Sequence, residues 1–472
     1  MKRFGLVCLV AAFAAAAGCN GSSSLSSAPP TTQPAHSIKH IVILLQENRS
    51  FNNLFAGFPG ATTALQGPCK AFKPRGTSDY WCKTAREVAL KARSLAQGSP
   101  TLGGTDICHS HQCFELECDF DTGTKRCRND GFDLIDFGEA QGGPYAKLYP
   151  YSYVRQSDVK AYWDFAKRYA IADRMFFTDT ASSFIAHQIM LSGTVRLNDH
   201  ESLTDQPGVP IWGCDSPPSN PVPVIFKDGR VSLNGPQPCL DVYGSIADLL
   251  DAAKVSWKYY IFNLPQHGSE FAGNVWNGFD VFKDVRYGPD WKNITTPNGK
   301  IFRDLNNGTL PAVSWVIPTL FDSDHPASGC NGGPRWVTSV ADAIGKSRYW
   351  NSTAIVLLWD DWGGWYDPVP PPQTNYASLS FRVPLIVISP YAKAHLVSHT
   401  QYEFGSILKF IEQTFSLGSL HTTDVDATSL SDMFDFTQAP RPYAIEPIPH
   451  ANSCGLPPPM ETILRHDRGI PD

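Results

Sequence analysis

Two short polar runs stand out because each directly follows an apolar, β-branched run. Gln46-Glu47-Asn48-Arg49-Ser50 follows IKHIVILL, and Asp360-Asp361-Trp362-Gly363-Gly364 follows AIVLLW. Glu47, Asn48, Asp360 and Asp361 offer carboxylate and amide oxygens, the donors that a hard or borderline divalent cation takes from a protein. The two glycines would let the backbone pass close to such a site. The same residue types also cap helices and turn chains at the surface, and spacing alone leaves both readings open.

Ile38 to Leu45, Ala312 to Pro318, Ala354 to Trp359 and Val383 to Ser389 are continuous apolar runs of strand length. Such runs are the pattern of strands buried on both faces. Helical spacing covers Val337 to Ile344 and Phe404 to Phe415. Strands alternating with helices predict an α/β fold with a mostly parallel sheet between helical layers. In open sheets of this kind ligands collect beyond the carboxyl ends of the strands, where both acidic runs fall. Two stretches, about 60–130 and 208–240, carry clustered Gly, Pro and Cys with little periodicity and are expected to be insertions over the sheet.

Of the 472 residues, 42% are hydrophobic and 18% charged, which suits a large buried core and excludes a disordered, collagen-like or coiled-coil chain. The formal net charge is -6, from 39 Lys plus Arg against 45 Asp plus Glu, with no basic block. A phosphate-backbone binder needs the opposite balance, so no nucleic-acid partner is expected. Neither a G-x-S-x-G elbow nor an HExxH pair occurs, which argues against an α/β-hydrolase triad and a zincin protease.

Residues 1–18 have the form of a secretory signal: Lys2 and Arg3 precede an apolar run to Ala17 that is too short to span a bilayer. Ala16-Ala17-Gly18-Cys19 resembles a bacterial lipobox, so Cys19 is the expected lipid anchor; a cleaved signal without lipid is the alternative. Residues 19–36, rich in Ser and Pro, then form a flexible tether. Asn20 after the Cys would fit an exported lipoprotein of the bacterial outer membrane, periplasm or cell surface. Residues 37–472 are expected to form a single domain. Setting Cys8 and Cys19 aside leaves ten of the 12 cysteines, an even number for an oxidising compartment. Cys69, Cys82, Cys108, Cys113, Cys118 and Cys127 crowd one stretch, which reads as stapled by disulfides of undetermined connectivity. A zinc knuckle through His109 or His111 is the rival reading, disfavoured by the absence of a CxxC pair.

The blocks IKHIVILLQENRSFNNLFAGFPGA, LPAVSWVIP with SDHP, LLWDDWGGWYDPVPPP, FRVPLIVISPYAK and YEFGSILKFIEQTF together resemble the bacterial phosphoesterase family of secreted phospholipases C and AcpA-type acid phosphatases. They run in family order from Ile38 to about Phe436. The resemblance implies an alkaline-phosphatase-like three-layer α/β/α sandwich with disulfide-stapled loop insertions and a divalent metal cation of undetermined identity. It assigns Glu47, Asn48, Asp360 and Asp361 to the metal and Ser183, within Thr180-Ala181-Ser182-Ser183-Phe184-Ile185-Ala186-His187, to the nucleophile, with Ser182 as the alternative. His325, in SDHP, and His109, in Cys108-His109-Ser110-His111, match active-site histidines. Asn52 stands where relatives commonly have Asp, Pro368 where phospholipases C commonly have His, and Asp284 where acid-phosphatase relatives have His.

The resemblance therefore implies a metal-dependent phosphoesterase: Ser183 attacks phosphorus to give a phosphoserine, and His325 with His109 or His187 offsets charge on the phosphoryl oxygens. The Asp-Asp pair, the Ser nucleophile and the chain length lean towards an acid phosphatase acting on phosphate esters. A phospholipase C acting on phospholipid head groups is the first alternative, and a non-catalytic surface-binding lipoprotein the second. Trp359, Trp362, Trp365 and Tyr366, around the acidic pair, are expected either to line a substrate cleft or to anchor packing.

Overall fold

The computed structural model describes residues 37–70, 87–95, 106–135, 148–209, 212–262, 275–328, 332–372 and 378–449. The expected signal, the Cys19 anchor and the tether lie outside them, as do Cys82, Cys330 and Cys454.

The central sheet contains β1 (His40–Gln46), β2 (Ala170–Ala172), β3 (Trp257–Tyr260), β4 (Ile294–Thr295), β5 (Val313–Val316), β6 (Thr353–Trp359), β7 (Leu385–Ile388) and β8 (Leu396–Ser398). Their order is β4-β3-β5-β1-β6-β7-β2-β8. Every neighbouring pair is parallel except those made by β7, which runs against both β6 and β2. All four expected apolar runs form strands at the centre of this sheet. The last begins at Leu385 rather than Val383, since Pro384 has no N–H to give a ladder. The short β2 and β3 carried too few residues to register as runs.

Helices α1 (Phe51–Phe55), α2 (His111–Cys118), α3 (Lys160–Arg168), α4 (Ser183–Ser192), α5 (Ile246–Ala252), α6 (Lys283–Tyr287), α7 (Lys300–Asn307), α8 (Gly332–Lys346) and α9 (Phe404–Phe415) complete the frame. α3 and α7 pack on α8, while α4 packs on α5 and α9. Because β1, β5, β6 and β7 are buried on both faces, both faces of the sheet are covered, giving three layers. α4 is buried along its whole length, its polar Ser183, His187, Gln188 and Ser192 included. It therefore lacks the one-sided pattern that marks a surface helix, and no hydrophobic periodicity announces it.

The expected insertions lie partly within the described residues. Within the first, Cys108–Cys113 and Cys118–Cys127 are disulfides flanking or closing α2, and Cys214–Cys239 bridges the second. Arg196–Asn198, Glu201–Leu203, Val224–Phe226 and Val231–Ser232 form a four-stranded antiparallel sheet, whose strands are too short for alternation to show in sequence.

A buried ion pair fixes the chain where it leaves β1. Arg382 forks onto Asp367 with Nε–Oδ1 2.8 Å and an Nη2–Oδ2 bond of 3.0 Å, both side chains fully buried. Asp367 also accepts the Asn52 N–H at 3.1 Å, and the guanidinium lies 4.7 Å over the Phe51 ring. Asn52 itself pairs both ways with the Ala64 backbone, so its amide serves the loop rather than the acidic centre. Removing one partner leaves an uncompensated buried charge. Asp367→Ala should therefore cost about 3–5 kcal/mol of unfolding free energy, measured by urea titration against the unaltered chain.

Candidate active site

The register of β1 against β6 pairs Gln46 with Trp359. The residues that follow, Glu47 and Asp360, therefore leave neighbouring parallel strands at the same level, and the Asp360 N–H donates to the Gln46 carbonyl at 3.0 Å. One residue on, the Asn48 N–H donates to Asp360 Oδ1 at 2.8 Å. Ser183, at the first turn of α4, donates its hydroxyl to Asp361 Oδ2 at 3.0 Å and to Asn48 Oδ1 at 3.4 Å. Ser182 precedes the helix, and its Oγ is buried with no hydrogen-bond partner.

Glycines permit this crowding. Gly363 has φ +61°, and a Cβ there would stand 2.2 Å from the Asn48 carbonyl oxygen; at Gly364, φ +72°, it would stand 2.5 Å from Ile107 Cγ2 and 2.7 Å from the Cys108 carbonyl. The second close approach lets the disulfide-stapled insertion reach the centre. Its His109 gives Nδ1–H to the Ile107 carbonyl at 2.6 Å, placing Nε2 2.9 Å from Asn48 Nδ2 and 3.7 Å from Asp361 Oδ2. From the other side, His187 on α4 sets Nε2 3.2 Å from Glu47 Oε1. His325 stands further out, with Nε2 4.0 Å from Asp106 Oδ2. Its SDHP segment is pinned from β1 and β6: the Gln46 amide bonds Asp322 O and Asp324 N, Arg49 bonds Asp324 O, and Trp359 and Tyr162 bond Asp324 Oδ2.

Glu47, Asp360 and Asp361 are all fully buried. Burial, with Asp360 and Asp361 beside it, pushes the Glu47 carboxyl well above its ordinary range. Burial and the neighbouring Asp360 raise Asp361 to about 8 against the pull of His109. Burial disfavours the His109 cation, but Asp361 and Asp106 outweigh it and raise the ring to about 9. His187 is driven down to about 4 by burial and is neutral, and burial also lowers His325. Glu47 Oε2 and Asp360 Oδ2 are buried with no hydrogen-bond partner. Unpaired buried carboxylate oxygens are costly unless a cation meets them. The donor set, Glu47, Asp360 and Asp361 with Asn48 and a neutral His187, fits a divalent metal.

Ser183 opens onto a cavity of about 570 Å³ that His109, His325, Ser182, Asp106, Trp212 and Trp276 also line. The four aromatic residues around the acidic pair do not line it. Trp359, Trp362, Trp365 and Tyr366 are buried and anchor packing; Trp362 Nε1, for instance, donates to the buried Glu117 Oε2 at 2.7 Å. The Asp284 carboxylate accepts the Val285 N–H within α6 and Arg49 is tied to SDHP; neither lines the cavity. Among the site residues, sequence reasoning gave Asp106, Trp212 and Trp276 no role. His187 had a signal available: Ser183 and His187 are four apart, and so share a helix face.

A mostly parallel sheet in three layers thus carries a buried carboxylate centre, with a serine hydroxyl beside it, beyond the carboxyl ends of its middle strands. Residues 38–418 match the phosphoesterase family model, and the chain belongs to the phosphoesterase family. It is similar to phospholipase C A of Mycobacterium tuberculosis, 25% identical with 88% of this chain and 81% of the relative covered. It is also similar to the hemolytic phospholipase C of Pseudomonas aeruginosa, 24% identical over 85% of this chain and 56% of the relative. Among solved structures, it is similar to a protein in the alkaline phosphatase superfamily from Vibrio parahaemolyticus, with 10% identity and TM-score 0.32, covering 58% of this chain and 65% of that one.

The orphaned oxygens lead to a direct check. Glu47→Gln and Asp360→Asn should each weaken divalent-metal binding at least tenfold, and Gly363→Ala should do the same by displacing Asn48, on the order of what outer-shell changes cost. Elemental analysis of protein dialysed against a metal buffer reads the outcome.

Proposed function

We propose that this phosphoesterase is metal-dependent and uses Ser183 as its nucleophile, with phosphate monoesters as the lead substrate class. The observation that carries the reading is the Ser183 hydroxyl, held by Asp361 and Asn48 where the cavity meets the buried carboxylates. Glu47, Asn48, Asp360 and Asp361 hold the cation, which when bound supplies positive charge for the phosphoryl oxygens and favours the ionised serine. Asp361 Oδ2 orients the Ser183 hydroxyl and accepts its proton as Oγ attacks phosphorus. His109 lines the cavity beside Asn48 and Asp361, where its ring meets the phosphoryl oxygens. His325, on the cavity wall, hydrogen-bonds the leaving oxygen, which takes its proton from water in the cavity. Water then hydrolyses the phosphoserine. Trp212 and Trp276 narrow the approach.

Phospholipase C action on phospholipid head groups is the second reading, favoured by the names of the relatives. No helix among the described residues is long and apolar enough to cross a membrane; export by the N-terminal signal and anchoring through a lipid on Cys19 complete the proposal. Cys19→Ser should abolish incorporation of labelled palmitate in a bacterial host.

Hydrolysis of p-nitrophenyl phosphate and p-nitrophenylphosphorylcholine, each with and without chelator, tests the function. Chelator-sensitive turnover of the monoester alone supports the phosphatase reading, and turnover of the diester moves it to phospholipase C. Ser183→Ala should lower turnover by at least about 1,000-fold with the circular dichroism spectrum unchanged, while Ser182→Ala retains it; the reverse pattern would put the nucleophile at Ser182. No turnover by folded, metal-supplemented protein would favour the binding lipoprotein.

A further inference from the structure

His187 occupies the side of the carboxylate centre that no strand end supplies. It follows Ser183 by about one turn of α4, so nucleophile and imidazole leave the same helix face. Its Nε2 lies 3.2 Å from Glu47 Oε1 and 4.0 Å from Asp360 Oδ2. One atom from each of the three residues falls within 4.8 Å of the others. Two ligands each about 2.1 Å from one cation stand roughly 3–4 Å apart, so these separations suit a shared coordination shell.

The far side of the ring fixes which nitrogen carries the hydrogen. Nδ1 faces the Tyr259 hydroxyl oxygen at 3.4 Å. That hydroxyl spends its own hydrogen on the Trp276 carbonyl at 2.6 Å, leaving its oxygen as an acceptor. The imidazole hydrogen therefore sits on Nδ1, and Nε2 presents a lone pair to two carboxylates. A lone pair facing carboxylates calls for a proton or a cation between them. Trp276 lies parallel to the ring, with centroids 6.5 Å apart and an interplanar angle of 2°. Gly278 lets the loop press on the helix there, since a Cβ would stand 2.5 Å from the His187 carbonyl oxygen. Outer partners of this kind hold a metal-ligating histidine in one orientation.

We propose that His187 Nε2 is a ligand of the divalent cation, and that this nitrogen tilts the site towards zinc-, cobalt- and iron-class cations over magnesium and calcium. Imidazole suits the former, whereas an all-oxygen set suits the latter. The proposal deepens the phosphoesterase reading and rests on its metal centre. Tyr259 is then a positioning residue.

The test strips the full-length protein with chelator, dialyses it against equal zinc and magnesium, and measures bound metal. The unaltered chain should take zinc. His187→Gln should still bind a cation, with its zinc-over-magnesium preference reduced at least tenfold and the visible bands of the cobalt-loaded form shifted. Tyr259→Phe should weaken zinc binding about tenfold, in the range set by outer-shell partners. X-ray absorption of the zinc-loaded unaltered chain should carry imidazole scattering, a readout that needs no variant to fold. Absence of that scattering, or an unchanged preference and cobalt spectrum in folded His187→Gln, would overturn the proposal. Failure of the unaltered chain to bind any cation would instead remove the metal-dependent reading itself.

Discussion

Three fully buried carboxylates crowd together beyond the ends of two neighbouring strands, and much of the surrounding structure answers that fact. Glu47, Asp360 and Asp361 lie at the ends of adjacent parallel strands, fully buried. Like charges so placed repel, and burial makes each ionised form costly, as the raised Glu47 and Asp361 show. A fold tolerates such a centre only if something else holds it shut. Here that support is the apolar core of β1, β5, β6 and β7, whose side chains are essentially excluded from water. The strands run straight into the site with no flexible joint between core and carboxylates, so site geometry and core packing are one mechanical unit.

The groups that complete the site arrive from outside the sheet, each held by a different device. Ser183 and His187 ride on a helix buried on every side, which fixes them through packing. His109 comes on a loop closed by Cys108–Cys113 and pressed against Gly364. His325 sits in a segment gripped by the Gln46 amide, Arg49, Tyr162 and Trp359. The result is a rigid floor of carboxylates with a wall of histidines from three separate parts of the chain.

Sequence alone determined the central strands, the helices with one apolar face, and the two acidic runs that leave β1 and β6. Each of these is written in local order: unbroken apolar stretches for strands buried on both faces, a period of about 3.6 for α9, and donor-rich residues directly after a strand. The resemblance over five blocks added the family and the pairing of Glu47 and Asn48 with Asp360 and Asp361. Tertiary structure alone decided the rest. That β1 lies beside β6 in the register that joins Gln46 to Trp359 is a choice among strand orders, which no local pattern encodes. The disulfide partners and the approach of His109 depend on how a loop of low periodicity folds back over the sheet. So does the sorting of aromatic residues: Trp362 and Trp365 turn into the core, while Trp212 and Trp276 face the cavity, because a side chain's surroundings come from segments far away in the chain. His187 marks the boundary, since its spacing from Ser183 is a property of the sequence, whereas the orientation that turns its lone pair to Glu47 is set by Tyr259 and Trp276, brought in from other parts of the fold.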